Sequence, residues 1–334
     1  MPSRMAREVR WDSSMSMKRE IVLGTRSSLL ALAQTELVRR ALAERFPEMG
    51  IRVETFLTRG DRKLDLDLKA EPAGGKGLFT RELERALFDG RIDVAVHSLK
   101  DLPGNEPEGL EIASVLPRAA TDDVLISKAL GGLAGLPKGA LVGTSSVRRI
   151  RQLQWARNDL RVMDWRGNVQ TRLRKLRESA ECGAIVLARA GLDRLGMDFA
   201  DGILRVEDGG EVSEFFVSSL ADSMLPAMGQ GIVALQVRSE DQVHAEVVRA
   251  IGDERTMRQA RVERGLQRRL GGDCTLPVGV RTKLTDGGGV WMEGVLFVAE
   301  DEAPVRGIAE GMTEEEVAEA LYLRLTGGAK NESH

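Results

Sequence analysis

An α/β architecture of two similar domains flanking a cleft, joined to a smaller C-terminal α+β domain, is the fold this sequence predicts. Three features carry that expectation: a chain of 334 residues, a strand–turn–helix–strand pattern that occurs twice, and a change of patterning after about residue 237. One hydrophobic core seldom organises more than ~250–300 residues, so two or three domains are expected. Strands alternating with helices imply right-handed crossovers and mostly parallel sheets, whose ligands bind outside the carboxyl ends of the strands.

In the first copy, Ile21-Val22-Leu23 is a short apolar strand, Gly24-Thr25-Arg26-Ser27-Ser28 a turn, and residues 29–46 carry apolar side chains at helical spacing. A strand over 51–57 then ends in Arg59-Gly60-Asp61, and Thr80-Arg81 opens a helix leading to a strand over 93–97. The second copy repeats the order. Leu141-Val142 is the strand, Gly143-Thr144-Ser145-Ser146 the turn, and a helix passes through Arg148 and Trp155; a strand over 160–163 leads into Arg166-Gly167-Asn168. Thr171-Arg172 opens the next helix, before a strand over 184–187.

Gly131 to Gly139 reads as a loop, and the chain is expected to change domains near Pro117 to Asp122. Leu225-Pro226-Ala227-Met228-Gly229-Gln230-Gly231 precedes a strand over 232–237 that returns to the first domain. Helical spacing from Asp241 to Leu270, strands near Val278, over 290–298 and over 305–308, and a last helix over 313–325 form the smaller domain. These readings give residues 19–117 with 215–236 as the first domain, 118–214 as the second and 237–334 as the third. Residues 1–18 are polar, lack the apolar core of a secretory signal, and are expected to be a disordered extension.

Composition narrows the function. With 48 basic against 51 acidic residues, a net charge of −3 and 4% aromatics, the chain lacks the basic excess and stacking surface of a nucleic-acid binder. A local basic cluster on such a protein suits a small anion. No stretch approaches the roughly 20 apolar residues of a membrane span, so a cytoplasmic protein is expected. Cys182 and Cys274 are too few for a disulfide framework, and His97, His244 and His334 match no zinc spacing with them, so no metal site is expected.

Both Gly-Thr turns place hydroxyls and free N–H groups at a helix start, which serves an anion or simply caps the helix. Arg26, Arg148 and Arg149 beside the turns favour a carboxylated ligand, because a guanidinium fork grips carboxylates in bidentate fashion. Within the Arg148 to Arg177 cluster, Arg166 and Arg172 also sit at turn or helix-start signals, whereas Arg151, Arg157, Arg174 and Arg177 read as solvated. Gly74-Gly75-Lys76-Gly77 lacks the Ser or Thr of a phosphate loop and reads as a flexible loop or surface turn carrying Lys76 and Phe79. His97-Ser98-Leu99-Lys100-Asp101 follows a buried strand, placing Ser98, Lys100 and Asp101 at a sheet's carboxyl edge as catalytic groups or a structural ion pair. Cys274 stands in a Gly-rich loop, where a thiol can carry a covalent group.

Taken together and in order, Gly-Thr-Arg-x-Ser, Thr-Arg-Gly-Asp, Gly-Gly-Lys-Gly-Leu-Phe, His-Ser-Leu-Lys-Asp, Gly-Thr-Ser-Ser-Val-Arg-Arg, Arg-Gly-Asn-Val, Leu-Pro-Ala-Met-Gly-Gln-Gly and the cysteine loop make the chain resemble the porphobilinogen deaminase (hydroxymethylbilane synthase) family. The resemblance spans Ile21 to about residue 325. It implies three α/β domains, the first two periplasmic-binding-protein-like and the third bearing the cysteine. It implies a monomeric transferase of tetrapyrrole and haem biosynthesis that deaminates four porphobilinogen molecules in turn. These are joined to a dipyrromethane cofactor held by a thioether to Cys274. By the same resemblance Asp101 is the catalytic carboxylate, and Ser98, Lys100, Thr144, Ser146, Arg148 and Arg149 bind the cofactor. Arg26, Ser28, Arg166 and Arg172 bind substrate and growing chain, and Lys76 and Phe79 belong to a flexible loop over the cleft. Asp273 stands where a glycine or serine commonly precedes the cysteine. A binding protein for small carboxylates is the competing reading; it would need the arginines but neither Asp101 nor Cys274.

Overall fold

The computed structural model describes residues 20–56, 80–208, 210–271, 277–299 and 302–327. Strand β1 (Glu20–Arg26) runs parallel to β2 (Gly50–Phe56) and β3 (Val94–Ser98), with helices α1 (Leu29–Arg45) and α2 (Arg81–Phe88) in the connections. The second copy has the same topology. Strand β6 (Leu141–Gly143) lies parallel between β7 (Arg161–Met163) and β8 (Cys182–Ala188), connected through α4 (Val147–Ala156) and α5 (Val169–Glu178).

Neither sheet is mostly parallel, contrary to expectation. The first has the order β2-β1-β3-β11-β4, where β11 (Val233–Arg238) is antiparallel to both β3 and β4 (Leu110–Val115). The second runs β7-β6-β8-β5-β10-β9, with β5 (Asp123–Ser127) antiparallel to β8 and to β10 (Glu211–Ser219), which forms a hairpin with β9 (Ile203–Asp208). The reason is the chain exchange: β5 enters the second sheet before its repeat unit begins, and β11 re-enters the first after the second is complete. Because β10 stays in the second sheet to Ser219, residues 215–219 belong there, and the return to the first sheet comes later than residue 215. The loop expected over 131–139 contains a single helical turn, α3 (Gly132–Gly135).

Alternation places each sheet between helices. Ile21, Leu23, Val94, Val96, Val233 and Leu235 pack on Val38 and Leu42 of α1, whereas Val22 and Ala95 on the opposite face meet Leu83 and Leu87 of α2. In the second sheet Ile126, Ile185 and Leu187 meet Leu173 and Leu176 of α5, and Leu125, Ala184 and Val186 meet Leu153 of α4. Helix α6 (Arg189–Arg194) follows β8. The single helix expected from Asp241 to Leu270 is two, α7 (Gln242–Arg249) and α8 (Glu254–Arg269), because Asp253 turns out of the helix and caps the second through the Thr256 N–H at 2.8 Å. A three-stranded sheet, β12 (Val278–Leu284), β13 (Val290–Leu296) and β14 (Val305–Gly311), completes the third core with α8 and α9 (Glu314–Thr326).

Candidate active site

The carboxyl ends of β1, β3, β6 and β7 carry the residues singled out in the sequence. Val94 to His97 are buried, and the chain then tightens into a 3-10 turn, Leu99–Asp101, whose Leu99 is 2% exposed. The Leu99 N–H donates to the Ile232 carbonyl at 3.0 Å, and Gln34 Nε2 of α1 reaches Ser98 Oγ at 2.8 Å. Gly229 presses on the same turn. With φ at +71°, and a Cβ that would lie 2.9 Å from the Lys100 nitrogen, this position accepts only glycine without displacing the turn. Asp101 is therefore exposed on a turn fixed from behind, with Lys100 partly buried beside it.

Across the cleft, Gly143 lets the second turn pass Trp165, whose ring atoms would lie as close as 2.6 Å to any Cβ there. Thr144 is buried, and its Oγ1 accepts the Ser146 N–H at 3.3 Å; Ser145 Oγ accepts the Trp165 N–H at 2.9 Å. Ser146 occupies the cap position of α4 without a capping side-chain bond, whereas Ser28 does cap α1, accepting the Ala31 N–H at 3.3 Å.

Arg148 and Arg149 are buried, and one carboxylate holds both. Arg149 Nη2 donates to Asp123 Oδ1 at 2.7 Å and its Nη1 to the Val186 carbonyl at 2.8 Å; Arg148 Nη2 lies 2.8 Å from Asp123 Oδ2 and its Nη1 donates to the Leu225 carbonyl at 2.7 Å. Gln230 Nε2 adds a bond to Asp123 Oδ1 at 3.0 Å. Burial alone would raise the Asp123 carboxyl, but the two guanidinium charges outweigh it and hold it well below the usual range. Arg148 Nε is buried with no hydrogen-bond partner. A carboxylated group fits here: an orphaned donor, two arginines sharing one acid, and a third cation, Lys100, facing them.

Charge couples the two sides. Burial pushes the Lys100 ammonium down to about 8, with Asp101 and Asp123 opposing the shift and Arg149 and Arg148 adding to it. Burial also brings Arg172 down to about 10, helped by Arg149 and opposed by Asp101 and Asp164. Asp101, Lys100, Arg148, Arg149 and Arg172 thus share one electrostatic site. The sign of the pH effect follows from Lys100. Its folded value lies below the unfolded 10.5, so both states are protonated below pH 8 and the folded state alone loses its proton first above it. Stability should rise with pH over that interval. Thermal melts between pH 7.5 and 10 should show wild type gaining a few degrees relative to Lys100→Met, while the anion grip of Lys100 weakens.

The remaining expectations divide. Arg26 ends β1, close enough to His97 for its charge to help burial lower that imidazole to about 4. Arg166 is exposed and pairs with Asp164 at 2.8 Å, and Arg172 Nε donates to the Gly167 carbonyl at 2.7 Å. Lys76, Phe79 and Cys274 lie outside the described residues. Arg157, read as solvated, instead bonds Asp159 Oδ1 at 2.7 Å and the Leu133 carbonyl at 2.9 Å, because its helix ends against the 131–139 segment. Cys182 is a buried free thiol whose pKa burial raises, as a packing cysteine should be.

The sequence reading missed Asp123, Gln34 and Gln230, since each acts over a long separation in the chain; only the Met-Gly-Gln-Gly run flagged the last. It also missed Arg194, whose Nη2 donates to the Gly231 carbonyl at 2.6 Å and ties α6 to the returning segment. Asp93, Asp241 and His244 converge with ligand atoms within 4.8 Å. Arg238 already occupies that cluster, with Nη2 at 2.6 Å from Asp241 and 3.5 Å from Asp93.

Comparison with known proteins identifies the family. Residues 21–246 match the family model described as porphobilinogen deaminase, dipyromethane cofactor binding domain, and residues 257–327 match the porphobilinogen deaminase C-terminal domain. The porphobilinogen deaminase of Chlorobaculum parvum is 43% identical, covering 81% of this chain and 81% of its own. That of Roseiflexus sp. is 42% identical over 90% of this chain and 93% of its own, and that of Pelotomaculum thermopropionicum 43% identical over 92% and 93%. Matched from the first strand to the last helix by the two domain models together, the chain belongs to the porphobilinogen deaminase family.

Proposed function

We propose that this enzyme deaminates four porphobilinogen molecules and joins them head to tail on a dipyrromethane attached to Cys274, releasing hydroxymethylbilane for tetrapyrrole synthesis. The observation that carries the reading is Asp101, exposed on a rigid turn and electrostatically coupled to Lys100 and Arg172. Arg148, Arg149 and Lys100 hold the cofactor's acid groups, with Thr144, Ser98 and Ser146 at the same strand ends. The bound cofactor supplies the pyrrole position to which the first substrate is joined. Arg26, Ser28, Arg166 and Arg172 receive the substrate's acetate and propionate. As ammonia leaves, positive charge develops on the substrate ring, and the Asp101 carboxylate stabilises it and takes up the ring proton.

Each of the three sheets, with its helices, forms one domain in this reading, and the irregular segments over 117–122 and 225–231 join the first two. A cytoplasmic, monomeric enzyme is part of this proposal; among the described residues no helix is long and apolar enough to cross a membrane. The arginines test the substrate site. Arg166→Leu and Arg172→Leu should each lower kcat/KM for hydroxymethylbilane formation roughly ten- to a hundredfold, the cost of one charged hydrogen bond. Arg157→Leu would break a structural clamp, so the exposed Arg174 is the control, and Arg174→Leu should stay within about twofold of wild type. Equal losses at all three positions would refute the assignment.

A further inference from the structure

Asp123 belongs to no motif above, yet it is the acid on which the cofactor's arginines converge. It opens β5, the first strand after the crossing from the first sheet, and its side chain has no exposure. Both its oxygens face guanidinium groups: Oδ1 receives Arg149 Nη2 at 2.7 Å and Nε at 3.2 Å, and Oδ2 lies 2.8 Å from Arg148 Nη2. The same Oδ1 accepts Gln230 Nε2, which also reaches the Thr121 carbonyl at 2.7 Å. The Gln230 carbonyl accepts Arg118 Nε at 3.0 Å, and Arg118 Nη1 pairs with the buried Glu263 of α8 at 2.6 Å. A continuous polar chain therefore runs from the two arginines, through Asp123 and Gln230, into the irregular segments that join the first two sheets and on to the third domain.

Two buried arginines side by side repel, and without an anion they would turn toward water. One internal carboxylate prevents that while leaving a net positive pair and one unsatisfied donor, Arg148 Nε, for an incoming acid. We propose that Asp123 is the positioning residue of the cofactor site. It is the resident counter-ion that keeps Arg148 and Arg149 aimed before the dipyrromethane carboxylates arrive, and Gln230 fixes that aim to the segments that cross between the sheets. The inference rests on the function proposed above.

Asp123→Asn keeps the shape but removes the charge and turns one of the two acceptor oxygens into a donor. Intact mass of denatured protein gives the fraction carrying the covalent adduct; thermal melting of separated loaded and unloaded forms gives the stability of each. Wild type should be almost wholly loaded, and this arm tests the underlying function independently of Asp123. Asp123→Asn should be loaded at least twofold less. Its unloaded form should melt well below unloaded wild type, whereas its loaded form should come within a few degrees of loaded wild type, because the cofactor's own acids then neutralise the pair.

Full loading of Asp123→Asn would overturn the proposal. So would an equal drop in melting temperature of both forms, which is what a purely structural ion pair would give. If Asp123→Asn does not fold, Asp123→Glu, which displaces the charge, and Gln230→Leu, which cuts the link, should each load partially. Complete loading of both would equally overturn it.

Discussion

Asp101→Asn is expected to cut the rate of hydroxymethylbilane formation by about a thousandfold, within the range for loss of a positioned acid–base or charge-stabilising group. The substitution is nearly isosteric. Asp101 is exposed at the end of a turn held by Leu99, Gly229 and Ser98, so neither core nor turn depends on its charge. Melting temperature and adduct mass should therefore match wild type, and porphobilinogen binding should change by less than tenfold, since arginines hold the substrate's acids. The combination is diagnostic: a charge needed only as ammonia departs lowers kcat and leaves ground-state binding largely intact. Turnover within a factor of ten of wild type would remove Asp101 from the catalytic role. An equal fall in stability would instead identify it as one half of a structural pair with Lys100.

How far the sequence reached depends on how local each signal is. The two Gly-Thr turns, the strand before His97 and the cap at Ser28 are legible because they are set by residues within a few positions, as the Ala31 N–H bond to Ser28 Oγ at 3.3 Å shows. The unit order β2-β1-β3 and β7-β6-β8 followed from the duplication. The antiparallel strands did not. β5 and β11 lie beside β8 and β3 only because the chain crosses between sheets twice, and a buried apolar strand reads the same whichever way its neighbour runs.

The site divides in the same way. Basic residues at helix starts identified Arg148 and Arg149, but their partner Asp123 opens β5, 25 and 26 positions earlier, where the second acid of a Thr-Asp-Asp run gives no signal of its own. Arg157 was misread for a related reason. Helical spacing said that it faces outward, but α4 ends there, and an arginine past a helix end can turn back to reach carbonyls such as those of Leu133 and Leu136.

Cys274→Ala should abolish both the covalent adduct and activity, the largest effect expected of any single substitution here. A thioether survives denaturation, so active wild-type protein should weigh more than its sequence by two linked pyrrole rings, while a ligand held only by Arg148 and Arg149 would be lost. Cys182 supplies the comparison within the same chain. It is 1% exposed in β8, its Sγ lies 3.2 Å from the Ala184 carbonyl, and burial raises its pKa, all of which disfavour the thiolate that covalent chemistry requires. Cys182→Ala should then keep full adduct and turnover, at a cost of about 1 kcal/mol for the small cavity left in the second core. The adduct's mass distinguishes the enzyme from a carboxylate-binding protein built on the same cleft, because only the enzyme needs a primer attached through a bond. Bare sequence mass in protein that is active on porphobilinogen, or an adduct that maps to Cys182 by peptide digestion, would show that the chain is built on something other than Cys274.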